Sequence, residues 1–308
     1  MSKRDFLKVS DLTAREIENL WKRSQAFKAG KVKGRPLAGK TVGLLFEKPS
    51  TRTRVSFEAA VIETGGHSLF LSGRDTQLAR NEPLKDTARV LSRYLQALVV
   101  RTFAQETLEE LARWSTIPVI NALSDLHHPA QVLSDLFTVW ERKGTLQGLK
   151  VAWVGDGNNV AHSWIEAACL FPFELFLACP EGYDPQAEIW DRARKTAGDR
   201  IHLTRDPFEA VKGAQVVNTD VWASMGQEAE VAERVRVFRP YQVNETLLAA
   251  AAPDCLVLHC LPAHRGEEIT DEVLEGPRSV VFDQAENKMH LHKALLEFLL
   301  VKPTKDRR

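Results

Sequence analysis

The segment Ser50-Thr-Arg-Thr-Arg54 carries residue types suited to holding an anion. It follows the apolar run 41–46, which is typical of a buried parallel strand, and it opens a helical pattern. Free N–H groups and the dipole at a helix N-terminus favour an anion, and the hydroxyls and Arg52 add further donors. An N-capped helix with surface arginines is the alternative interpretation. Arg101, directly after another predicted strand, favours a phosphate-like site.

Further polar residues follow other predicted strands. His128-Pro-Ala-Gln131 opens a helix, so His128 and Gln131 are predicted to face one point, although a helix-capping histidine is the usual alternative. Asp220 and the run His259-Cys260 also come directly after strands. Because ligands of open α/β sheets bind beyond the carboxyl ends of the strands, these residues indicate a ligand site.

Two other kinds of site are disfavoured. The segment Gly155-Asp-Gly-Asn-Asn-Val160 suggests dinucleotide binding, but Val160 replaces the third glycine of that fingerprint. His259, Cys260 and His264 match no standard zinc spacing, so we predict no metal. Cys260 as a nucleophile would need a nearby base, and a small buried cysteine is the commoner outcome.

Strands and helices alternate along the whole chain. This pattern predicts two parallel-sheet α/β domains of similar size, with a C-terminal helix at 287–300 that packs back on the first domain. The predicted domains are 1–142 together with 286–302, and 149–285, joined by the linker 143–148. The predicted strands are 41–46, 97–100, 118–120, 150–154, 175–178, 215–218, 255–258 and 279–282.

Composition excludes several classes of protein. The 308 residues hold 41 Lys+Arg and 41 Asp+Glu, without the basic excess of a nucleic-acid-binding protein. No apolar run approaches the ~18 residues of a membrane span. Four cysteines without a CxxC pair and the lack of a secretory h-region lead us to expect a reduced, cytoplasmic location.

The net charge of zero is the sum of a positively charged and a negatively charged half of the chain. Residues 1–142 hold 22 Lys+Arg and 16 Asp+Glu, a net charge of +6, whereas residues 143–308 hold 19 and 25, a net charge of −6. Much of this charge is ordinary solvated surface. Its sign nevertheless suits an anionic ligand in the first half and a cationic one in the second.

Four motifs, in this order, make the chain resemble the ornithine carbamoyltransferases. They are Ser50-Thr-Arg-Thr-Arg54, His128-Pro-x-Gln131, Asp220-x-x-x-Ser-Met-Gly226 and His259-Cys-Leu-Pro262. The first two mark carbamoyltransferases in general, and the last two mark the ornithine enzymes against the aspartate-using ones. The similarity runs from about residue 5 to 300 and implies carbamoyl transfer from carbamoyl phosphate to the δ-amine of L-ornithine, giving L-citrulline and phosphate in arginine metabolism.

The resemblance also implies roles for individual residues. The carbamoyl-phosphate set is Ser50, Thr51, Arg52, Thr53, Gln77, Arg101, His128, Gln131, Cys260, Leu261 and Lys288. The ornithine set is Asn159, Asp220, Ser224, Met225, Cys260 and Leu261. The catalytic residues would be Arg101, His128, Cys260 and Lys288, with Cys260 orienting the amine rather than forming a covalent bond.

The resemblance implies an assembly and a backbone feature as well. It implies a homotrimer, with trimers stacked further in some members, in which Gln77 reaches into the site of a neighbouring subunit. It also implies a cis peptide bond before Pro262. Neither nucleic acid nor a membrane is an expected partner.

One position departs from the family pattern. The motif Gln-Ala-Glu-Asn-Arg reads Gln284-Ala-Glu-Asn-Lys288 here. Lysine keeps the positive charge but loses the bidentate fork of arginine, so we expect an active site with altered carbamoyl contacts. The alternatives to ornithine transfer are transfer to another amine such as putrescine and a catalytically silent binding protein on the same fold.

Overall fold

A computed structural model describes residues 3–223 and 228–301 of the chain. It divides into two compact units, 1–133 with 286–308 and 134–285. Both units consist of a parallel sheet with helices, as the alternation of strands and helices predicts. None of the helices among the described residues is both long enough and apolar enough to cross a bilayer.

The first unit contains a four-stranded parallel sheet in the order β2-β1-β3-β4. Its strands are β1 (Thr41–Phe46), β2 (His67–Ser72), β3 (Ala97–Arg101) and β4 (Val119–Leu123). Its helices are α1 (Ala14–Lys28), α2 (Thr51–Glu63), α3 (Leu84–Tyr94) and α4 (Gln105–Trp114), and α5 (Pro129–Lys143) begins in it. All five residues of β3 are buried, as the unbroken apolar pattern of a central parallel strand requires.

Helix α1 shows how the local sequence determines an element. Thr13 accepts a hydrogen bond from the Glu16 N–H, and the Glu16 side chain accepts one from the Thr13 N–H, which forms a capping box. Leu20 and Trp21 are buried on one face, and the helix ends two residues before Gly30.

The second unit contains a five-stranded parallel sheet in the order β7-β6-β5-β8-β9. Its strands are β5 (Lys150–Val154), β6 (Glu174–Ala178), β7 (Ile201–Thr204), β8 (Val216–Thr219) and β9 (Leu256–His259). Its helices are α6 (Asn159–Leu170), α7 (Ala187–Ala197), α8 (Pro207–Val211), α9 (Val231–Phe238), α10 (Glu245–Leu248) and α11 (Asp271–Leu274), and α12 (Val281–Leu300) begins in it. From Glu286 onward, α12 belongs to the first unit.

The predicted strand 279–282 is wrong. Ser279 makes one isolated bridge to Val257, and Val281 already begins α12, so the last helix starts six residues before the predicted one. β-branched residues favour a strand locally, but here they supply the buried first turn of a helix.

The sequence analysis also missed two edge strands, β2 and β7. Leu69 in β2 is half exposed, and β7 has only four residues. β2 and β7 are less buried than the other two edge strands, β4 and β9, so they lack the continuous apolar pattern by which the other strands were predicted.

Candidate active site

The first group of functional side chains lies at the carboxyl edge of the first sheet. Phe46, the last residue of β1, pairs with Arg101, the last residue of β3. The pairing of β3 with β4 shifts register between Val100 and Arg101, an irregularity of the kind that redirects a side chain. Arg101 is 9% exposed, so its guanidinium belongs to the interior of the unit.

Helix α2 begins at this edge. Neither its N-cap nor its first turn contains an acidic residue. Ser50 is the N-cap residue, and its Oγ accepts a hydrogen bond of 3.3 Å from the Thr53 N–H. Thr53 is buried, Thr51 is exposed and Arg52 is partly buried. The predicted anion-binding turn is therefore present as a helix N-terminus with hydroxyl and guanidinium groups beside it.

Lys288 on α12 is buried and contacts this turn. Its Nζ donates to Thr53 Oγ1 at 3.1 Å and to Gln131 Oε1 at 2.8 Å. Both acceptors are neutral oxygens, so these contacts orient the ammonium without cancelling its charge. Lys288, from the segment 284–288, thus links the first sequence motif (50–54) to the second (128–131).

His128 belongs to the same cluster. Burial lowers the pKa of its imidazole well below the ordinary value, and the charges of Lys288, Arg101 and His292 lower it further. A neutral His128 still has one ring N–H to donate, and it adds no positive charge to the cluster. Arg101, His128, Gln131, Lys288 and Thr53 are the predicted residues that the structure brings together in the first unit.

Gln77 lies elsewhere in the first unit. It begins a single 3₁₀ turn, Gln77–Arg80, and its side chain is exposed. Among the described contacts its backbone oxygen accepts a hydrogen bond from the Glu82 N–H at 3.1 Å. The predicted role of Gln77 in a neighbouring subunit remains a prediction.

The second group of side chains lies in the second unit, where β5, β8 and β9 end side by side. Asp220 follows β8 and Cys260 follows β9, and the Cys260 thiol donates to Asp220 Oδ1 at 3.1 Å. Asn158, the N-cap of α6, donates from Nδ2 to Asp220 Oδ2 at 3.0 Å. Neutral donors therefore hold the Asp220 carboxylate in place, and its negative charge remains available to a cation.

His259 is joined to a partner that the sequence analysis missed. Its Nε2 lies 3.0 Å from Glu268 Oε1, both side chains are fully buried, and its Nδ1 accepts from the Leu261 N–H at 2.8 Å. Leu261 has a φ of 58°, and the predicted cis bond before Pro262 is confirmed. The Glu268 carboxylate orients His259, which in turn fixes the backbone beside Cys260.

A second missed network involves Arg234. Its guanidinium donates to Asp156 Oδ2 at 2.9 Å, to the Trp222 carbonyl at 2.9 Å and to Glu230 Oε2 at 2.8 Å. Burial raises the pKa of the Asp156 carboxyl to about 6, although Arg234 acts in the opposite direction. Asp156 could have indicated this network from the sequence, because it lies in the loop that follows β5.

The structure describes one of the three remaining residues of the predicted ornithine set. Asn159 is the first residue of α6, directly after the capping Asn158. Ser224 and Met225 lie outside the described residues.

Two groups of potential metal ligands occur among the described residues, Asp220 with His259 and Cys260, and His264 with Glu267 and Glu268. In the first, both ring nitrogens of His259 already have partners within the protein. In the second, His264 Nδ1 lies 3.6 Å from Glu267 and 3.9 Å from Glu268. These distances suit contacts between side chains within the protein.

Two family models match the chain. Residues 4–141 match the carbamoyl-P binding domain and residues 147–299 match the Asp/Orn binding domain of aspartate/ornithine carbamoyltransferases. The chain belongs to the aspartate/ornithine carbamoyltransferase family. The resemblance noted from the four sequence motifs is thereby confirmed.

Relatives within this carbamoyltransferase family extend over nearly the whole chain. An ornithine carbamoyltransferase of Desulfotalea psychrophila is 61% identical over 295 residues, covering 95% of this chain and 97% of that protein. An anabolic ornithine carbamoyltransferase of Pseudomonas aeruginosa is 55% identical over 303 residues, covering 97% and 98%. The ornithine carbamoyltransferase structure from Pyrococcus furiosus has a TM-score of 0.93 at 49% identity, covering 98% of this chain and 99% of that one.

Proposed function

We propose that this chain transfers the carbamoyl group of carbamoyl phosphate to the δ-amine of L-ornithine, giving L-citrulline and phosphate for arginine biosynthesis. The observation that carries the proposal is the buried Lys288, held by Thr53 and Gln131 at the N-terminus of α2. Relatives at 55% and 50% identity are named anabolic ornithine carbamoyltransferases, which supports the biosynthetic direction.

The phosphate would bind at the N-terminus of α2. Its oxygens can accept from backbone N–H groups and from the side chains of Ser50, Thr51, Arg52 and Thr53, with Arg101 as a second guanidinium. These donors do not move during the reaction, so they can stabilise the additional negative charge on the leaving phosphate.

The carbamoyl group would lie against His128, Gln131, Arg101 and Lys288. The Lys288 ammonium donates to Thr53 and Gln131, which holds it at the edge of this site. In the reaction it would donate to the carbamoyl oxygen, where negative charge builds as the amine attacks. The neutral His128 can donate to the same oxygen.

The amino acid would bind in the second unit. Asp220, Asn159, Ser224 and Met225 would hold the α-amino and α-carboxylate groups, and Leu261 and Cys260 would contact the δ-amine. The Cys260 proton already points to Asp220. With its proton directed to Asp220, the sulfur would accept a hydrogen from the δ-nitrogen, which orients the nitrogen lone pair for attack.

The reaction balances without a cofactor. The δ-ammonium loses one proton, the nitrogen lone pair then forms the new C–N bond, and the bond between the carbamoyl carbon and the bridging oxygen breaks. Phosphate leaves with that electron pair, and it takes up the second proton that the nitrogen loses. We propose that no metal and no covalent bond to Cys260 takes part.

We further propose the domain roles and the assembly. Residues 1–142 with 286–302 would bind carbamoyl phosphate, and 149–285 would bind ornithine, in a cytoplasmic homotrimer to which Gln77 contributes across a subunit boundary. The exposure of Gln77 supports this role, because a side chain buried in its own subunit has no reach.

A comparison of acceptors tests the proposal. Purified protein is supplied with carbamoyl phosphate and with L-ornithine, putrescine or N-acetylornithine, and the ureido product is measured colorimetrically. We expect turnover with ornithine at a kcat/KM at least about 100-fold above that with putrescine, because putrescine lacks the groups that several charge-assisted hydrogen bonds would hold. Preference for putrescine, or no product with any acceptor, would contradict the proposal.

A further inference from the structure

One helical turn after Lys288, α12 carries a histidine that the proposed reaction does not use. His292 is fully buried. Its ring stacks on Phe57 of α2, with the ring centroids 3.6 Å apart and the planes at 10°. Its Nδ1 lies 3.1 Å from Ser56 Oγ, so two neighbouring residues of α2 contact it.

The hydrogen bonds of Ser56 determine the tautomer of His292. Ser56 Oγ donates to the Thr53 carbonyl at 3.1 Å, and a hydroxyl has only one hydrogen. His292 must therefore donate its Nδ1–H to Ser56, and Nε2 carries a lone pair. Within the described part of the chain, Nε2 is buried and has no hydrogen-bond partner.

The surroundings of His292 keep its imidazole uncharged. Burial lowers the pKa of its imidazole well below the ordinary value, and the ammonium of Lys288 lowers it further. His128 is the other titratable group that interacts with His292, and its own pKa is lowered in the same way. Both imidazoles are therefore uncharged at neutral pH.

The contacts form a continuous line from α12 to the phosphate-binding turn. His292 donates to Ser56, Ser56 donates to the backbone of Thr53, and Thr53 Oγ1 accepts from Lys288. Lys288 and His292 are four residues apart and so share one face of α12. This face therefore contacts α2 at two points, Thr53 in its first turn and Ser56 in its second.

We propose that His292 is a positioning residue for carbamoyl phosphate, which fixes Thr53 and Lys288 relative to each other through Ser56. This proposal rests on the proposed function. An apolar side chain would stack on Phe57 equally well without burying an unpartnered nitrogen, which costs stability. The hydrogen bond to Ser56 is what an apolar residue cannot supply.

Two variants separate the ring from the hydrogen bond. His292→Phe keeps the stacking on Phe57 and loses the donor, whereas His292→Asn keeps a donor near the position of Nδ1 and loses the ring. Ser56→Ala removes the relay from the other side. The matched control is His202→Asn, because His202 stacks on Phe176 at 4.1 Å on β7 of the second unit, outside both groups of site residues.

Steady-state kinetics with both substrates are the main readout, with Tm measured for every variant. We expect His292→Phe and Ser56→Ala each to raise KM for carbamoyl phosphate about tenfold, the effect of one lost hydrogen bond. We expect His292→Asn to raise it less than about threefold and His202→Asn to leave it unchanged. KM for ornithine should stay within about twofold in all four.

The tautomer gives a readout that does not depend on turnover. In ¹⁵N-histidine-labelled wild-type protein, we expect His292 to show a protonated Nδ1 and an unprotonated Nε2. A protonated Nε2, or a KM for carbamoyl phosphate unchanged in both folded His292→Phe and folded Ser56→Ala, would overturn the inference. If His292→Phe does not fold, Ser56→Ala decides. Failure of the proposed function looks different, because wild-type protein would then form no citrulline.

Discussion

The two groups of site residues hold opposite charges by the same means. In the first unit, the Lys288 ammonium contacts the neutral oxygens of Thr53 and Gln131, and in the second the Asp220 carboxylate contacts the neutral donors Asn158 and Cys260. A paired opposite charge would have stabilised each group but would have cancelled its field. The neutral partners named here fix the position of each charged group without opposing its charge. We therefore expect the first group to receive an anion and the second a cation.

The largest expected effect comes from removing the negative charge of the second group. Asp220→Asn should lower kcat/KM for ornithine about 10³-fold, because the change removes an ionic partner of the amino acid and replaces one of the two oxygens that accept from Cys260 and Asn158 by an NH₂ donor. KM for carbamoyl phosphate should stay within about twofold. Steady-state kinetics with each substrate varied in turn check this, and an equal loss on both substrates would show that the two groups are not separate.

Removing the positive charge of the first group is the reciprocal test. Lys288→Met keeps much of the length of the side chain and should lower kcat about 10²-fold, because it removes a donor that strengthens in the transition state. Inhibition by inorganic phosphate should weaken by less than about tenfold, since the α2 N-terminus remains. An unchanged kcat would separate Lys288 from the chemistry.

The buried neutral histidines predict how stability depends on pH. The pKa values of His128 and His292 lie well below 6.5 in the folded protein and return to the ordinary value on unfolding. The unfolded chain therefore binds more protons below pH 6.5, so the free energy of unfolding should fall as the pH drops from 6.5 towards the folded pKa values. Each histidine contributes about 1 kcal/mol per pH unit.

Urea unfolding at pH 7.0, 6.0 and 5.5 measures this slope. His292→Phe should remove about half of the decrease contributed by these two residues. An equal slope in wild type and His292→Phe would contradict a neutral His292.

Restoring the residue of the family motif is a finer change to the first group. Lys288→Arg keeps the charge but places a larger, planar group between Thr53 and Gln131, in a site that is only 5% exposed. The enzyme should retain activity, and KM for carbamoyl phosphate should rise about fivefold. Kinetics identical to those of the wild type would mean that the departure from the family motif has no consequence.

The smallest expected effect concerns the charge of the two sequence halves. Raising the ionic strength from about 0.05 to 0.5 M shortens the Debye length to less than half, and kcat/KM for both substrates should fall about two- to threefold. A salt-independent kcat/KM would reduce the +6 and −6 division to ordinary surface charge.

Local sequence patterns predicted part of the fold correctly. The central strands β1 and β5 lie at the predicted residues, because a strand covered on both faces must be apolar throughout. The edge strand β2 and the first turn of α12 were not predicted, since neither pattern is distinctive by itself. The structure shows that Ser279 forms an isolated bridge with Val257 and that α12 begins at Val281.

The same division runs through the site. The segment 50–54, Asp220 and Cys260 could be predicted as neighbours of a ligand from their positions after strands, because the direction of parallel strands brings such loops to one edge of a sheet. The partner of each side chain could not be predicted, because it depends on how the folded chain packs. Lys288 meets Thr53 across 235 residues of sequence, and Glu268 is buried against His259. Hydrogen bonds depend on distances of a few tenths of an ångström, which the packing of complete helices sets and no local pattern encodes.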